Sequence, residues 1–422
     1  MGIRHRFVLS GLTSAIALLS TQAVAMPYSS FDPRAFAMGG TGVASGTSAN
    51  AGLMNPALLA IAREEDDFSV ELPIVHGRLA DKDDLIDAVG DLDDDDVFEN
   101  LDAAIERFNN LNIGANLDAE RQLVAAAIND MVEALNSVDA KLIQLEGAAG
   151  AVVGVPGDKL AVSVHAVAWG GGGAFAIFTD QDEQVLTDLR DDLALTDPRL
   201  SDFLDNPIDD DVLSSFVRGR LAVFGEVGVS LARQFNIGGQ DIGIGVTPKV
   251  VNIATYDYIF VGNELDDADI NIEDGEETFT DFNLDVGVAK QFMGGFTAGF
   301  AVKNLISRDY ETALDEDVSI GPQARVGVAH RTDWTTVAFD LDLNAADAVG
   351  FESKTQYAGI GAELDVFDTM QLRFGYKHNL EDSDTSVPSI GLGFSPFGAH
   401  IDLAVAGNGD EIGFSGQLGF RF

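Results

Sequence analysis

From about residue 215 to the end of the chain, apolar side chains recur at every second position in one short run after another. Period two is the repeat of a pleated strand, whose successive side chains point to opposite faces. In the final run Ile412, Phe414, Leu418 and Phe420 share one face, Glu411, Ser415, Gln417 and Arg421 the other, and Phe422 ends the chain in register with the apolar set. Val337, Phe339 and Leu341 oppose Thr336, Asp340 and Asp342; Met370, Leu372, Phe374 and Tyr376 oppose Gln371, Arg373 and Lys377. A run over 318–331 sets Ile320, Ala324, Val326 and Val328 against Gln323, Arg325 and Arg331. About fourteen such runs can be marked along the chain, most of them near or above the roughly ten residues that a tilted strand needs to cross a bilayer.

A soluble sandwich turns the apolar face inward, whereas a membrane barrel turns it out to lipid and keeps a polar lumen. The connections decide between them. Short links near Gly157, Asn236–Gly239, Gly294, Thr332–Trp334 and Val366–Thr369 alternate with long ones, chief among them 78–141 and 179–212. Short turns alternating with long loops on an even strand count are the pattern of an outer-membrane barrel. With the last strand ending in the periplasm, every long loop falls outside the cell. The expected fold is an all-β transmembrane barrel of about 14 antiparallel strands with helical extracellular loop insertions.

The chain carries 69 acidic against 25 basic side chains, a formal net charge of −44. A polyanion repels the phosphate backbone, which excludes nucleic acid as a bulk partner. There is no cysteine, hence no disulfide framework, thiolate metal site or thiol nucleophile. The acid gathers in the two long inserts, with Asp81, Asp83, Asp84, Asp87, Asp91 and Asp93–Asp96 in the first and Asp180, Asp182, Glu183, Asp188 and Asp191 in the second. Leu101, Ile105 and Phe108, then Leu123, Val124, Ile128, Val132 and Leu135, stand at helical spacing, which predicts amphipathic helices capping the barrel mouth. At the N-terminus Arg4, His5 and Arg6 precede the apolar stretch Phe7 to Leu19 and a small-residue site at Ala23-Val24-Ala25. That is the pattern of a cleaved signal peptide over 1–25, shorter in its apolar part than the roughly 20 residues of a spanning helix.

Site chemistry is sparse. Asp267-Ala268-Asp269-Ile270-Asn271 opens like a calcium loop, but Ile272 stands where the turn glycine belongs and Thr278 where the closing glutamate belongs. Gly170–Gly173 lead into an apolar strand with no lysine of a phosphate loop behind them. The histidines are scattered without metal spacing, so no catalytic residue, cofactor, metal or enzymatic role is expected. Lys249, Lys303, Arg325, Arg373 and Lys377 are expected to point into the lumen. There they either pair with Asp241, Asp285, Asp340 or Glu363, or grip the carboxylate of a ligand.

Ahead of the first strand the chain reads Ala37-Met38-Gly39-Gly40-Thr41-Gly42-Val43-Ala44, then Asn55-Pro56-Ala57-Leu58-Leu59-Ala60. This pattern resembles the N-terminal plug of the long-chain fatty acid transporter (FadL) superfamily. The mature chain is similar to that superfamily's outer-membrane family labelled conjugal transfer protein TraF, with Thr247–Tyr258 and Ala301–Leu305 resembling its strand motifs. The resemblance implies a plug over 26–60 inside a barrel over 61–422. In physical terms Pro56 fixes its own φ and biases Asn55 to an extended backbone, leaving the Asn55 amide to bond main chain in the lumen. Gly39, Gly40 and Gly42 permit tight bends, and Ala57 follows the turn with little bulk.

The expected function is to bind or pass small hydrophobic molecules across the outer membrane of a Gram-negative bacterium, with outer-membrane lipid around the wall. Two other classes stay open: a conjugation-associated or structural component without cargo, and a secretion-associated shuttle or anchor that works through its outer loops. A continuous apolar tunnel points to transport, and a sealed, salt-bridged lumen to the others.

Overall fold

In the computed structural model residues 28, 30–61, 68–94, 96–110, 116–194, 214–261, 275–367 and 369–421 are described. The signal-peptide stretch 1–25, the Asp267–Asn271 stretch and all of 195–213 lie outside them. Ahead of the wall come two short helices, α1 (Pro33–Ala37) and α2 (Ala51–Met54), and a 3-10 turn over Pro56–Ile61. The wall begins with β1 (Ser69–Ala80), β2 (Leu142–Val155), β3 (Ala161–Ile177), β4 (Phe216–Ile237) and β5 (Gln240–Val261). β6 (Glu276–Gln291) and β7 (Phe296–Lys303) follow, then a small hairpin of β8 (Arg308–Glu311) and β9 (Asp317–Ile320). The wall resumes with β10 (Gln323–Arg331), β11 (Thr335–Asp342), β12 (Tyr357–Val366) and β13 (Met370–Asn379). It ends with β14 (Val387–Phe394), β15 (Ala399–Gly407) and β16 (Glu411–Arg421).

All strands but the hairpin form one closed antiparallel barrel of 14, in which β1 pairs with β2 on one side and β16 on the other. Closure joins the last strand to the first and leaves the ladder no free edge strand, as lipid requires. The alternation seen in the sequence becomes two faces. Val153, Val227, Val250, Phe282, Val328, Phe339, Ile360, Phe374, Leu403 and Phe414 stand exposed around the outside, while Ser230, Thr247, Asp285, Gln323, Arg325, Asp340 and Arg373 are buried within. An apolar belt around the whole circumference is what acyl chains cover. At the short-turn end Phe292, Trp334, Phe367 and Phe397 protrude, as interfacial aromatics do. No described helix is long and apolar enough to cross a membrane.

The run read as one strand over 318–331 is broken. Gly321 and Pro322 separate β9 from β10, because proline has no N–H to give a ladder. Ile320 therefore leaves the lipid face assigned to it and packs with Tyr310 and Val318 against Phe224, Val251 and Ile253 of the inner wall. The hairpin is pinned there by Glu316, which pairs with Arg218 at 2.9 Å, and by the Thr312 hydroxyl, which donates to Asp257 at 3.1 Å.

The acidic inserts fold into α3 (Leu85–Asp94), α4 (Val97–Asn109), α5 (Leu117–Val138) and α6 (Asp180–Ala194). Leu101, Phe108, Val124 and Ile128 bury together with Leu186, Leu189 and Phe178 of the wall's rim, and Ile105, Val132 and Leu135 pack on that cluster. Leu123, counted with the apolar stripe, is exposed instead; it lies one residue off the spacing that Val124 and Ile128 define.

Asp182 ties α6 to the start of β4. Its carboxylate accepts from the Ser214 amide at 3.0 Å and the Ser215 amide at 2.6 Å, and from both serine hydroxyls. Burial alone would raise its pKa, but the hydrogen bonds from Ser215 and Ser214 outweigh it and hold the carboxyl below its ordinary 3.8. A depressed folded-state pKa stabilises above the unfolded value and ceases to do so as pH falls through the folded one. Acidification from pH 5 toward pH 3 is therefore expected to lower the protection factors of the amides in 180–191, each taken relative to the intrinsic exchange rate at that pH. Asp182→Asn should exchange faster at pH 7 and show a flatter pH response; an unchanged profile in that variant would remove the tie.

Candidate functional site

The N-terminal segment lies in the lumen. Ala35, Ala37, Met38, Thr41, Val43, Ala51, Asn55, Ala57 and Leu59 are each wholly excluded from solvent. Asp32 caps α1, accepting from the Ala35 amide at 3.0 Å and the Asn50 side chain at 2.9 Å. Gly39 and Gly40 take φ of +68° and +79°, the left-handed turn that carries the chain across the lumen. Asn55 is extended, as its place before Pro56 requires. Its amide nitrogen donates to the Val43 carbonyl at 2.8 Å, and its oxygen accepts from the Ala57 amide at 3.1 Å. The carboxylate of Asp340 accepts from the amides of Gly42 and Val43 at 2.8 and 2.9 Å.

The barrel wall makes room for this segment with glycine. A methyl group at Gly375, Gly361, Gly299 or Gly245 would stand closer than 3.0 Å to the main chain of Gly39, Met38, Val43 or Ala57. These glycines sit at lumen-facing positions, so backbone packs on backbone without side chains between. Sequence reasoning assigned these wall glycines no role. The legible signal was glycine at spacing two, as in Gly243/Gly245 and Gly359/Gly361.

Three of the five cations expected in the lumen are held by carboxylates. Lys249 pairs with Glu226 at 2.9 Å and Asp285 at 3.1 Å. Arg325 pairs with Asp342 (3.1 Å) and donates to the Gly40 carbonyl at 3.0 Å, while its guanidinium lies over the Tyr28 ring at 4.2 Å. Arg373 pairs with Glu363 at 2.7 Å and with Asp402, and Glu363 in turn takes Arg34 of the segment at 2.9 Å. Of the other two, Lys303 lies 5.3 Å from the Tyr28 ring and Lys377 4.3 Å from the Tyr357 ring. Of the partners expected for these cations, Asp285 and Glu363 serve. Asp241 does not: it sits at the β4–β5 turn, accepting from Asn236 at 2.7 Å. Asp340 holds the segment's main chain instead. Removing one member of a buried pair costs about 3–5 kcal/mol, so the lumenal network both fixes the segment and keeps these cations occupied.

Above the segment, on the long-loop side, lies a cavity of about 100 Å³ lined by Phe31, Phe36, Trp169 and Tyr357, with His76 and Lys377 at its edge. Trp169 is held flat against Phe224, ring centroids 4.3 Å apart. The run Gly170–Gly172 forms part of the same wall and leaves the space open. The connection between β11 and β12 folds inward over it. Its Glu352 pairs with Arg78 at 2.9 Å, and Arg78 also takes Glu146 at 3.0 Å and Glu411. Beyond this constriction an outer vestibule of about 260 Å³ opens among Asp83, Phe351, Asp382 and Asp410. Below the segment is a polar pocket of about 120 Å³ around Arg34, Glu363, Arg373 and His400. Vestibule, constriction, aromatic cavity and closure thus follow one another along the barrel. Arg34, Arg78 and Glu352 were not singled out from the sequence, because their partners lie up to hundreds of residues away.

The solved structures that resemble this barrel include the toluene transporter TodX of P. putida, at 10% identity and TM-score 0.50, covering 93% of this chain and 98% of that one. The toluene transporter TbuX of Ralstonia pickettii matches at 12% identity and TM-score 0.51, covering 94% and 99%. At such identities the likeness shows the fold. No curated protein matches the sequence. The sequence model of a family described as "F plasmid transfer operon, TraF, protein" matches residues 52–342.

Proposed function

The chain belongs to the family described as F plasmid transfer operon, TraF, protein, and from that premise we propose that it is an outer-membrane barrel of a Gram-negative bacterium that binds and passes small hydrophobic molecules. One observation carries the reading: an aromatic-lined cavity directly above a lumenal segment, on the side from which an external solute would arrive. A molecule of about one ring's size leaves the vestibule, displaces the Glu352 loop, and rests against Phe31, Phe36 and Trp169. Onward passage requires the segment to shift, since polar groups and ion pairs fill the lumen below it. The fold neighbours are named as toluene transporters, which supports cargo of this class. No chemical step is assigned to the chain.

The ion-paired lower lumen favours a second reading, a structural or conjugation-associated component without cargo. Ala148, which lines the cavity, separates the two. Ala148→Trp would fill the space with an indole, and a variant that still shows heat-modifiable migration on a gel has a folded barrel. Uptake of labelled toluene by intact cells is expected to fall about ten-fold with this variant. Equal uptake by cells with and without the wild-type chain would favour the component without cargo.

A further inference from the structure

Resting on the transport reading, we infer that the entrance selects by charge, admitting neutral and cationic aromatic molecules and excluding aromatic carboxylates. The outer vestibule is lined by the carboxylates of Asp83, Glu352, Asp382, Asp384, Asp410 and Glu411, against the cations Arg78 and Lys82. Both cations are already occupied: Lys82 lies 3.3 Å from Asp382 and 3.7 Å from Asp384, and Arg78 holds three carboxylates. A concave, low-dielectric mouth focuses such a field and shifts the local concentration of ions by ten-fold or more.

The inner cavity shares Arg78 and Glu352 with the vestibule. Lys377 lies at its edge over the Tyr357 ring at 4.3 Å. The lining sets Arg78, Arg325 and Lys377 against Glu146, Asp340 and Glu352, so it offers a carboxylate no net positive charge. A carboxylate arriving there adds a fourth negative charge. Phe31, Phe36 and Trp169 line the space, and aromatic rings attract cations and accept neutral rings. Of the deeper cations, Lys249, Arg325 and Arg373 are paired with carboxylates and Lys303 lies over the Tyr28 ring, 5.3 Å from its centroid. Of the two roles that the sequence left open for these residues, pairing inside the lumen is the one that Lys249, Arg325 and Arg373 adopt.

Trp169 supplies the probe, since the chain has 2 tryptophans and the other, Trp334, protrudes at a turn tip. The full-length Trp334→Phe protein in detergent would be titrated with toluene, protonated benzylamine and benzoate at pH 7 and low salt, following Trp169 fluorescence. Toluene and benzylamine are expected to give saturable changes, with benzoate at least about ten-fold weaker. The gap should narrow in high salt, as the screening length shrinks to about 3 Å at 1 M. It should also narrow in the triple variant Asp382→Asn, Asp384→Asn, Asp410→Asn. Benzoate binding as tightly as toluene at low salt would overturn the charge selection and leave the transport reading standing. Absence of any saturable response to toluene would overturn the transport reading and this inference with it.

Discussion

Deleting residues 30–61 is expected to leave a barrel that folds, inserts and conducts. The wall strands satisfy one another's hydrogen bonds around a closed circuit, so none of their backbone groups depends on the segment in lipid. The segment alone separates the aromatic cavity above from the polar pocket below. Its loss also strips Glu363 of Arg34 and Asp340 of two amide donors, leaving solvated charge along an open lumen. In planar bilayers the conductance should rise from near zero to a steady open level. Pro56→Ala should do less, giving intermittent opening, because it loosens one turn and leaves the lumen filled. A deletion variant that remains heat-modifiable yet electrically silent would place the closure elsewhere, in the loop over Arg78 or in the helices at the mouth.

Gly361→Ala combined with Gly375→Ala should unseat the segment without removing it. Each added methyl would meet the main chain of Met38 or Gly39 closer than 3.0 Å, and backbone there cannot swing aside as a side chain can. Overpacking of a filled interior costs typically about 1–3 kcal/mol. The wall can keep its ladder, so the cost falls on the segment. The expected signs are flickering conductance and trypsin cleavage at Arg34, which is buried in the wild type. Gly90→Ala is the matched control, since a methyl there meets nothing within 4 Å. A double variant as silent and as protease-resistant as the control would mean that the segment does not press on this wall.

The wall was legible because period two survives any uncertainty about partners: each run declares its faces without reference to its neighbour. Val337 and Phe339 could be placed outside, and Asp340 and Asp342 inside, from the sequence alone. Asp342's service to Arg325 and Asp340's to the segment were not legible, since both depend on the register between strands and on how Gly42 crosses the lumen. The hairpin of β8 and β9 escaped for a different reason. Asp317–Ile320 alternates as a wall strand does, and only the break at Gly321-Pro322 marks its departure. The turn logic of Gly39, Gly40, Asn55 and Pro56 was local and therefore readable. The glycines that receive the segment were not, because their purpose is fixed by a main chain some 190 to 340 residues distant. Arg78 illustrates the same limit: it is an ordinary polar residue of one strand until β2, β16 and the Glu352 loop converge on it.

The central claim is that a small hydrophobic molecule rests on the lumenal segment before it passes. Anomalous diffraction from crystals of the full chain soaked with 4-bromotoluene tests this most directly, because bromine marks the ring's position independently of the protein's own density. A bromine peak is expected among Phe31, Phe36 and Trp169, and it should vanish in Ala148→Trp crystals treated alike. Bromine found only along the lipid-facing wall, with the aromatic cavity vacant in the wild type, would contradict it.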